Sequence, residues 1–115
     1  MVDSTHVLVW TDGSAAGIIQ LVGAVSERFV IEPQPGMAEL GARVADMVQD
    51  ADRIVLAGPG TTARQLNEHL RRLWPDIAQR VIGVEYMAKP TDTMLRMYAR
   101  TYFRAHQQGF AARHH

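Results

Sequence analysis

The sequence predicts an α/β domain: a three-strand antiparallel meander, then helix, strand, helix, strand, helix, folded as a mixed five-stranded sheet covered by helices. Three observations predict it. Two apolar runs near the start are joined through Asp12-Gly13, a hairpin signal, and a third run is ended by Pro33 and Pro35. The apolar period then changes from alternation to a helical one. Finally, two further apolar runs alternate with helical patterns, which demands right-handed crossovers and strands parallel to the first.

The elements follow in order. His6–Thr11 reads as a buried strand, Ile18–Val22 as its return, and Arg28–Glu32 as the third. Met37, Leu40, Val44, Met47 and Val48 make the apolar face of the first helix. "RIVLAGPG" is a continuous apolar run of the kind buried on both faces. The helix after it, "TTARQLNEHLRRLW", has capping-box spacing at Thr62 and Gln65, with Ala63, Leu66, Leu70 and Leu73 towards the core. Pro75 disfavours helical geometry before it, so that helix ends near Trp74. "RVIGVEYM" is the fifth strand. In the last helix Thr91 is placed to cap, and Asp92 suits the first turn. Its core stripe is Leu95, Tyr98, Ala99 and Tyr102.

Composition narrows the function classes. A chain of 115 residues, 47% hydrophobic, makes one domain over 1–115, with a disordered tail expected from about 105 to 115. Without cysteine, disulfides, zinc fingers and thiol catalysis are excluded. The start "MVDSTHV" is not that of a signal peptide, and no apolar run approaches a membrane span, so a cytoplasmic protein is expected. Net charge is zero but segregated. Residues 1–60 hold eight acids against three arginines, and residues 61–115 four acids against nine bases, about −5 and +5. Such asymmetry marks either a basic face for an anionic partner or an ordinary dipolar protein.

The string "TDGS" after the first strand resembles the opening of ribonuclease H and its relatives, and the element order is that of the same fold. The resemblance implies a metal carboxylate at Asp12, which the other acids must support. Two-metal hydrolysis needs several carboxylates converging within a few ångströms. Glu39 could serve on the first helix. The fourth strand, however, ends in Gly58-Pro59-Gly60, without an acid, and Glu85 ends a strand two places from the first. That separation is roughly 10 Å between backbones. Asp12 therefore reads as a turn residue bonding its own backbone, and no metal ligand set is assigned.

A second resemblance covers about residues 6–104. "RIVLAGPGTTARQL" is similar to a run in the central domain of archaeal and eukaryotic peptide-chain release factors and their ribosome-rescue relatives. "RVIGVEYMAKPTDTMLRMYARTYF" resembles a family of small bacterial proteins called translational machinery proteins, and "VLVWTDGSAAGIIQL" fits the first hairpin of that domain. The resemblance implies a ribonuclease H-like frame and a link to translation. Release factors carry a Gly-Gly-Gln tripeptide between the third strand and first helix, which helps hydrolyse peptidyl-tRNA. Here that connection is only "EPQPGMAEL", and no Gly-Gly-Gln occurs in the chain. Release activity is therefore not implied.

Two local features are candidate sites. The turn Gly58-Pro59-Gly60-Thr61-Thr62, with Arg64 close by, could place backbone N–H groups and a helix dipole around an anion. It lacks the Gly-x-x-x-x-Gly-Lys-Ser/Thr of a phosphate loop, and reads equally as a sharp turn with a threonine cap. Arg96, Arg100 and Arg104 form a stripe nearly opposite the core stripe, suited either to RNA phosphates or to solvent. Met97 lies outside the core stripe and suggests a subunit contact, and so a homo-oligomer. His6, His69 and His106 have no metal-ligand spacing, and Ser4, Ser14 and Ser26 lack a nucleophile elbow. No cofactor is expected. The leading reading is a non-enzymatic, ribosome- or RNA-associated module without membrane contact. The alternatives are a degenerate metal nuclease and a small-anion or nucleotide-binding protein.

Overall fold

The structure, a computed structural model, describes residues 4–113, with side chains as far as residue 106. The elements are β1 (Thr5–Thr11), β2 (Ala16–Val22), β3 (Val25–Ile31), α1 (Met37–Val48), β4 (Arg53–Gly58), α2 (Thr62–Leu73), α3 (Pro75–Ala78), β5 (Val81–Tyr86) and α4 (Asp92–Arg113). They form one mixed sheet in the order β3-β2-β1-β4-β5. β1–β2 and β2–β3 are antiparallel; β1–β4 and β4–β5 are parallel.

Cover on both faces explains why the middle of β1, residues 7–10, is wholly apolar. Val7 and Val9 face α1 and α2, in a core with Ile18, Leu40, Val44, Leu56, Leu66 and Leu70. Leu8 and Trp10 face α4, in a second core with Ile19, Val55, Ala57, Leu95, Ala99 and Phe103. A strand covered on both sides has no solvent face on which polar residues could alternate. Trp10 satisfies its one donor by giving the indole N–H to the Met87 carbonyl, 3.0 Å away. β2 and β3 are longer than the sequence suggests. They meet at a two-residue turn, Gly23-Ala24, where Gly23 takes φ 59° and Val22 pairs with Val25.

Two expectations are corrected. Leu73 is 57% exposed rather than core. α2 ends at Leu73, and Trp74, with φ −136° and ψ 66°, leaves the helix and packs against the core. α3, which the sequence did not show, then folds back and buries Ile77 beside Trp74. In α4 the fully buried residues are Leu95, Ala99 and Phe103, with Tyr98 and Tyr102 half-buried at the flank. The expected tail falls partly on residues outside the described ones; as far as Arg113 the backbone is helical.

Side chains also close the helix ends. Thr91 Oγ1 accepts the Met94 N–H at 3.2 Å, capping α4. Arg80 reaches back to the end of α1 and donates through Nη1 to the carbonyls of Gln49, 2.6 Å, and Ala51, 2.8 Å. A guanidinium there satisfies carbonyls that the helix leaves open.

The closest backbone approach lies between the carboxyl ends of β1 and β4. A Cβ added at Gly58 would overlap the Thr11 carbonyl oxygen, whereas one at Gly60 meets nothing within 4 Å. Gly60 is instead constrained by its φ of +54°. Gly58→Ala should therefore lower stability by about 3 kcal/mol, since backbone must move. Gly60→Ala should cost about 1–2 kcal/mol, the strain of a left-handed residue. Urea unfolding of the two variants checks the order. Equal midpoints would mean that the strand ends are not so closely packed.

Candidate functional site

The carboxyl ends of β1, β4 and β5 form the rim where a site is expected. From the end of β1 the chain runs to β2, and from the end of β4 it runs to β5, in opposite directions across the sheet. A crevice outside such diverging strand ends is where open α/β sheets hold ligands.

The first wall is the turn after β1. Asp12 Oδ1 accepts the N–H of Ser14 at 2.9 Å and of Ala15 at 3.0 Å. The buried Thr11 hydroxyl donates to the Ala15 carbonyl, 2.7 Å, and accepts from the Gly13 N–H, 3.0 Å. Asp12 is thus the turn residue that the sequence suggests, with its carboxylate engaged by its own loop. Those two amides, Ala15 first, hold its carboxyl below the usual carboxylate range, with a smaller effect from the charge of Lys89.

The second wall is the start of α2. A Cβ at Gly13 would lie 3.4 Å from Thr62 Cγ2, so the two walls touch. Thr61, not Thr62, is the N-cap, and its side chain bonds no helix amide. Gln65 instead gives its side-chain N–H to Thr61 Oγ1 at 3.2 Å and its backbone N–H to the Thr61 carbonyl at 2.9 Å. The expected Thr62–Gln65 box is therefore shifted by one residue, because the tight Pro59–Thr62 turn, closed by Thr62 N–H to Pro59 O at 3.1 Å, takes Thr62 into the helix. Gly58, Gly60, Thr61 and Thr62 come together at this rim, with Arg64 exposed in the first turn of α2. The third wall is the loop after β5, held by Met87 N–H to Gly58 O at 2.8 Å. Sequence reading missed Lys89, whose charge reaches Asp12 from this loop. No spacing along the chain links those two residues.

The remaining acids point elsewhere. Glu85 lies on the α4 side, where its Oε2 accepts the Tyr102 hydroxyl at 2.9 Å. Burial first, then that bond, pushes the Tyr102 hydroxyl far above its ordinary range. Tyr98 is raised by burial and then by the Glu85 charge. Among the described residues no three His, Asp or Glu side chains are placed to share a metal ion.

The arginine stripe is not one surface. Arg96 Nη1 donates to Ser26 Oγ at 2.9 Å and to the Ser26 carbonyl at 3.2 Å. Arg100 Nη2 donates to the Ala24 carbonyl at 3.1 Å. Beside them Arg28 pairs with Asp92 at 2.5 Å. These contacts fasten α4 to the β2–β3 hairpin. The expectation of a stripe opposite the core is corrected by helix geometry: a spacing of four residues advances about 40° per step. Arg96 therefore starts beside buried Phe103, Arg100 lies further round, and Arg104 reaches solvent.

No protein-family model and no curated protein matches the chain. Solved structures of larger proteins do share its fold. Pelota of Archaeoglobus fulgidus superimposes with a TM-score of 0.65 at 15% identity, over 96% of this chain and 38% of Pelota. The archaeal translation termination factor aRF1 superimposes at 0.61 and 12%, over 94% of this chain and 41% of that one. Dom34 of S. cerevisiae, a translation termination-like factor involved in RNA quality control pathways and interacting with Hbs1, superimposes at 0.53 and 8%, over 90% and 38%. This chain thus spans about two-fifths of the length of those proteins. The shared feature is a release-factor-like domain fold, a five-stranded mixed sheet flanked by helices.

The Asp12 turn can be tested by titration. With its folded value below the unfolded one, its contribution to stability is complete above about pH 3.9 and is lost as pH falls through the folded value. The Asp12 carboxyl carbon should titrate below the ordinary carboxylate midpoint, and Asp12→Asn should flatten the acid limb of the stability curve. A midpoint at or above the ordinary value would mean that the carboxylate does not hold these amides.

Proposed function

We propose that this chain is a non-enzymatic interaction module related to translation termination-like factors, built on a ribonuclease H-like frame, that associates with the ribosome or other RNA in the cytoplasm. The observation that carries the reading is that nearly the whole chain superimposes on one part of Pelota and of aRF1. The charge pattern supports it. Arg64, Arg71, Arg72, Lys89 and Arg104 are all exposed, and all come from the basic half of the chain. Little on these surfaces reads bases, so the contact would be electrostatic. Peptidyl-tRNA hydrolysis is no part of the reading: the β3–α1 connection is five residues long and the chain has no Gly-Gly-Gln.

The test is sedimentation of the full chain with ribosomes at low and high salt. Co-sedimentation at low salt, lost at high salt, is the expected result; none at low salt refutes the reading. Arg104→Gln should lower the slope of log affinity against log salt by ~0.7 to 0.9 if that arginine meets a phosphate. Arg96→Gln and Arg100→Gln should in addition loosen the β2–β3 hairpin, because both side chains are engaged there.

A second reading, a small-anion or nucleotide site at Gly58, Gly60, Thr61, Thr62 and Arg64, draws on the tight turn that enters α2 at the strand ends. Amide shifts at Gly60, Thr61 and Thr62 on adding millimolar nucleotide would favour it. Silence there would leave the turn structural.

A further inference from the structure

β5 is an outer strand, and among the described residues nothing pairs with its free edge. The opposite edge, β3, is defended: it carries Glu27 and Arg28 and is fastened by α4. Val81–Tyr86 contains no lysine, arginine or proline, the residues that usually keep edges from pairing. Its one charge, Glu85, is turned to Tyr102 on the α4 side. On the other side Ile82, Val84 and Tyr86 are 37%, 38% and 74% exposed. Ile82 and Val84 border a groove of about 500 Å³ walled by Asn67, Arg71, Pro75, Ala78 and Gln79.

The free edge offers hydrogen bonds as well as apolar surface. The Met87 amide points at β4, donating to Gly58 O. Alternation then turns the backbone groups of Tyr86 and Val84 outwards. The register shift between Ile54 and Val55 falls on β5 at Ile82, which has no partner on β4, and Gly83–Tyr86 pair regularly with β4.

The geometry points to a second copy of this chain as the occupant, added antiparallel about a two-fold axis at Val84. The strand is self-complementary there. Val84 meets its own equivalent, and Ile82 meets Tyr86 of the second copy on the same face, an aromatic against a β-branched residue. That tyrosine ring lies at the mouth of the groove, with Pro75 and Ala78 beneath it and Arg71 and Gln79 at the rim for its hydroxyl. Charge is compatible. The chain has zero net charge, so two copies meet without net repulsion. Each Glu85 faces Gly83 of the other copy rather than its own equivalent. A six-residue strand is about 20 Å long, and the helix–sheet–helix stack is roughly 20–25 Å deep, so the contact buries on the order of 800–1,000 Å² in total. That is the low end for specific association. This inference is independent of the ribosome reading.

Because the chain has no cysteine, single cysteine variants report the axis directly. A hydrogen-bonded antiparallel pair holds its Cα atoms about 5.5 Å apart, within disulfide reach. Val84→Cys should cross-link to a dimer under mild oxidation. Tyr86→Cys, off the axis, and Met97→Cys, on the outer face of α4, should not. In sedimentation velocity the full chain should pass from one copy towards two between about 1 µM and about 1 mM, and Tyr86→Lys should weaken the dimer about tenfold or more. Tyr86 is 74% exposed, so that variant keeps its fold and circular dichroism. A monomer throughout, a dimer indifferent to Tyr86→Lys, or cross-linking through Met97→Cys in preference to Val84→Cys would each overturn the inference.

Discussion

The parallel pairing of β1 with β4 is the constraint on which the rest of the molecule depends. Both strands are covered on both faces, so every side chain along them must be apolar or internally satisfied. Their carboxyl ends approach so closely that the residue after Ala57 has no room for a side chain. The approach brings the Asp12 turn against the start of α2 and sets the loop after β5 beside both. The close meeting of the turns at the rim is thus a product of backbone packing. Its polar groups serve mainly the turns that form it: the Asp12 carboxylate and Thr11 hydroxyl are taken up by amides and a carbonyl two to four residues on.

The charged side chains at the hairpin and the α1 end act chiefly as fasteners between elements distant in sequence. Arg80 joins the loop before β5 to the end of α1. Arg96 and Arg100 hold α4 across the β2–β3 hairpin, and the Arg28–Asp92 pair fixes the start of that helix. Three of these four arginines donate to backbone carbonyls. Such bonds need a guanidinium that reaches several ångströms, and a lysine would not replace the paired Nη1 bonds of Arg80. The basic surface left for an anionic partner is correspondingly smaller than the charge count implies, and lies on α2, the β5–α4 loop and Arg104.

The fold is that of a domain found within larger translation termination-like proteins, and this chain covers it almost end to end. Among the described residues no helix is long and apolar enough to cross a membrane. The sheet's two edges are treated differently, one charged and fastened, the other apolar and open. This asymmetry singles out β5 as the surface where another polypeptide strand fits.

Much of the architecture was legible in the sequence, because local periodicity reports burial. The period-two runs, the helical stripes, the Asp12-Gly13 turn and the Thr91 cap all depend on near neighbours, and the order of elements leaves few ways to build a sheet. The rim residues Gly58 to Arg64 were legible as a turn entering a helix for the same reason. What tertiary structure alone decided involves partners far along the chain. Leu73 turns outward because α3 folds back to supply Ile77 in its place. Arg96 is drawn partly out of solvent and Arg100 is tied across the hairpin because the carbonyls of Ser26 and Ala24, some seventy residues earlier, lie within reach. The charge of Lys89 reaches Asp12 only because the loop after β5 crosses back towards the end of β1. Backbone carbonyls and loop positions carry no signature in the pattern of side chains, so contacts made to them emerge only once the chain has folded.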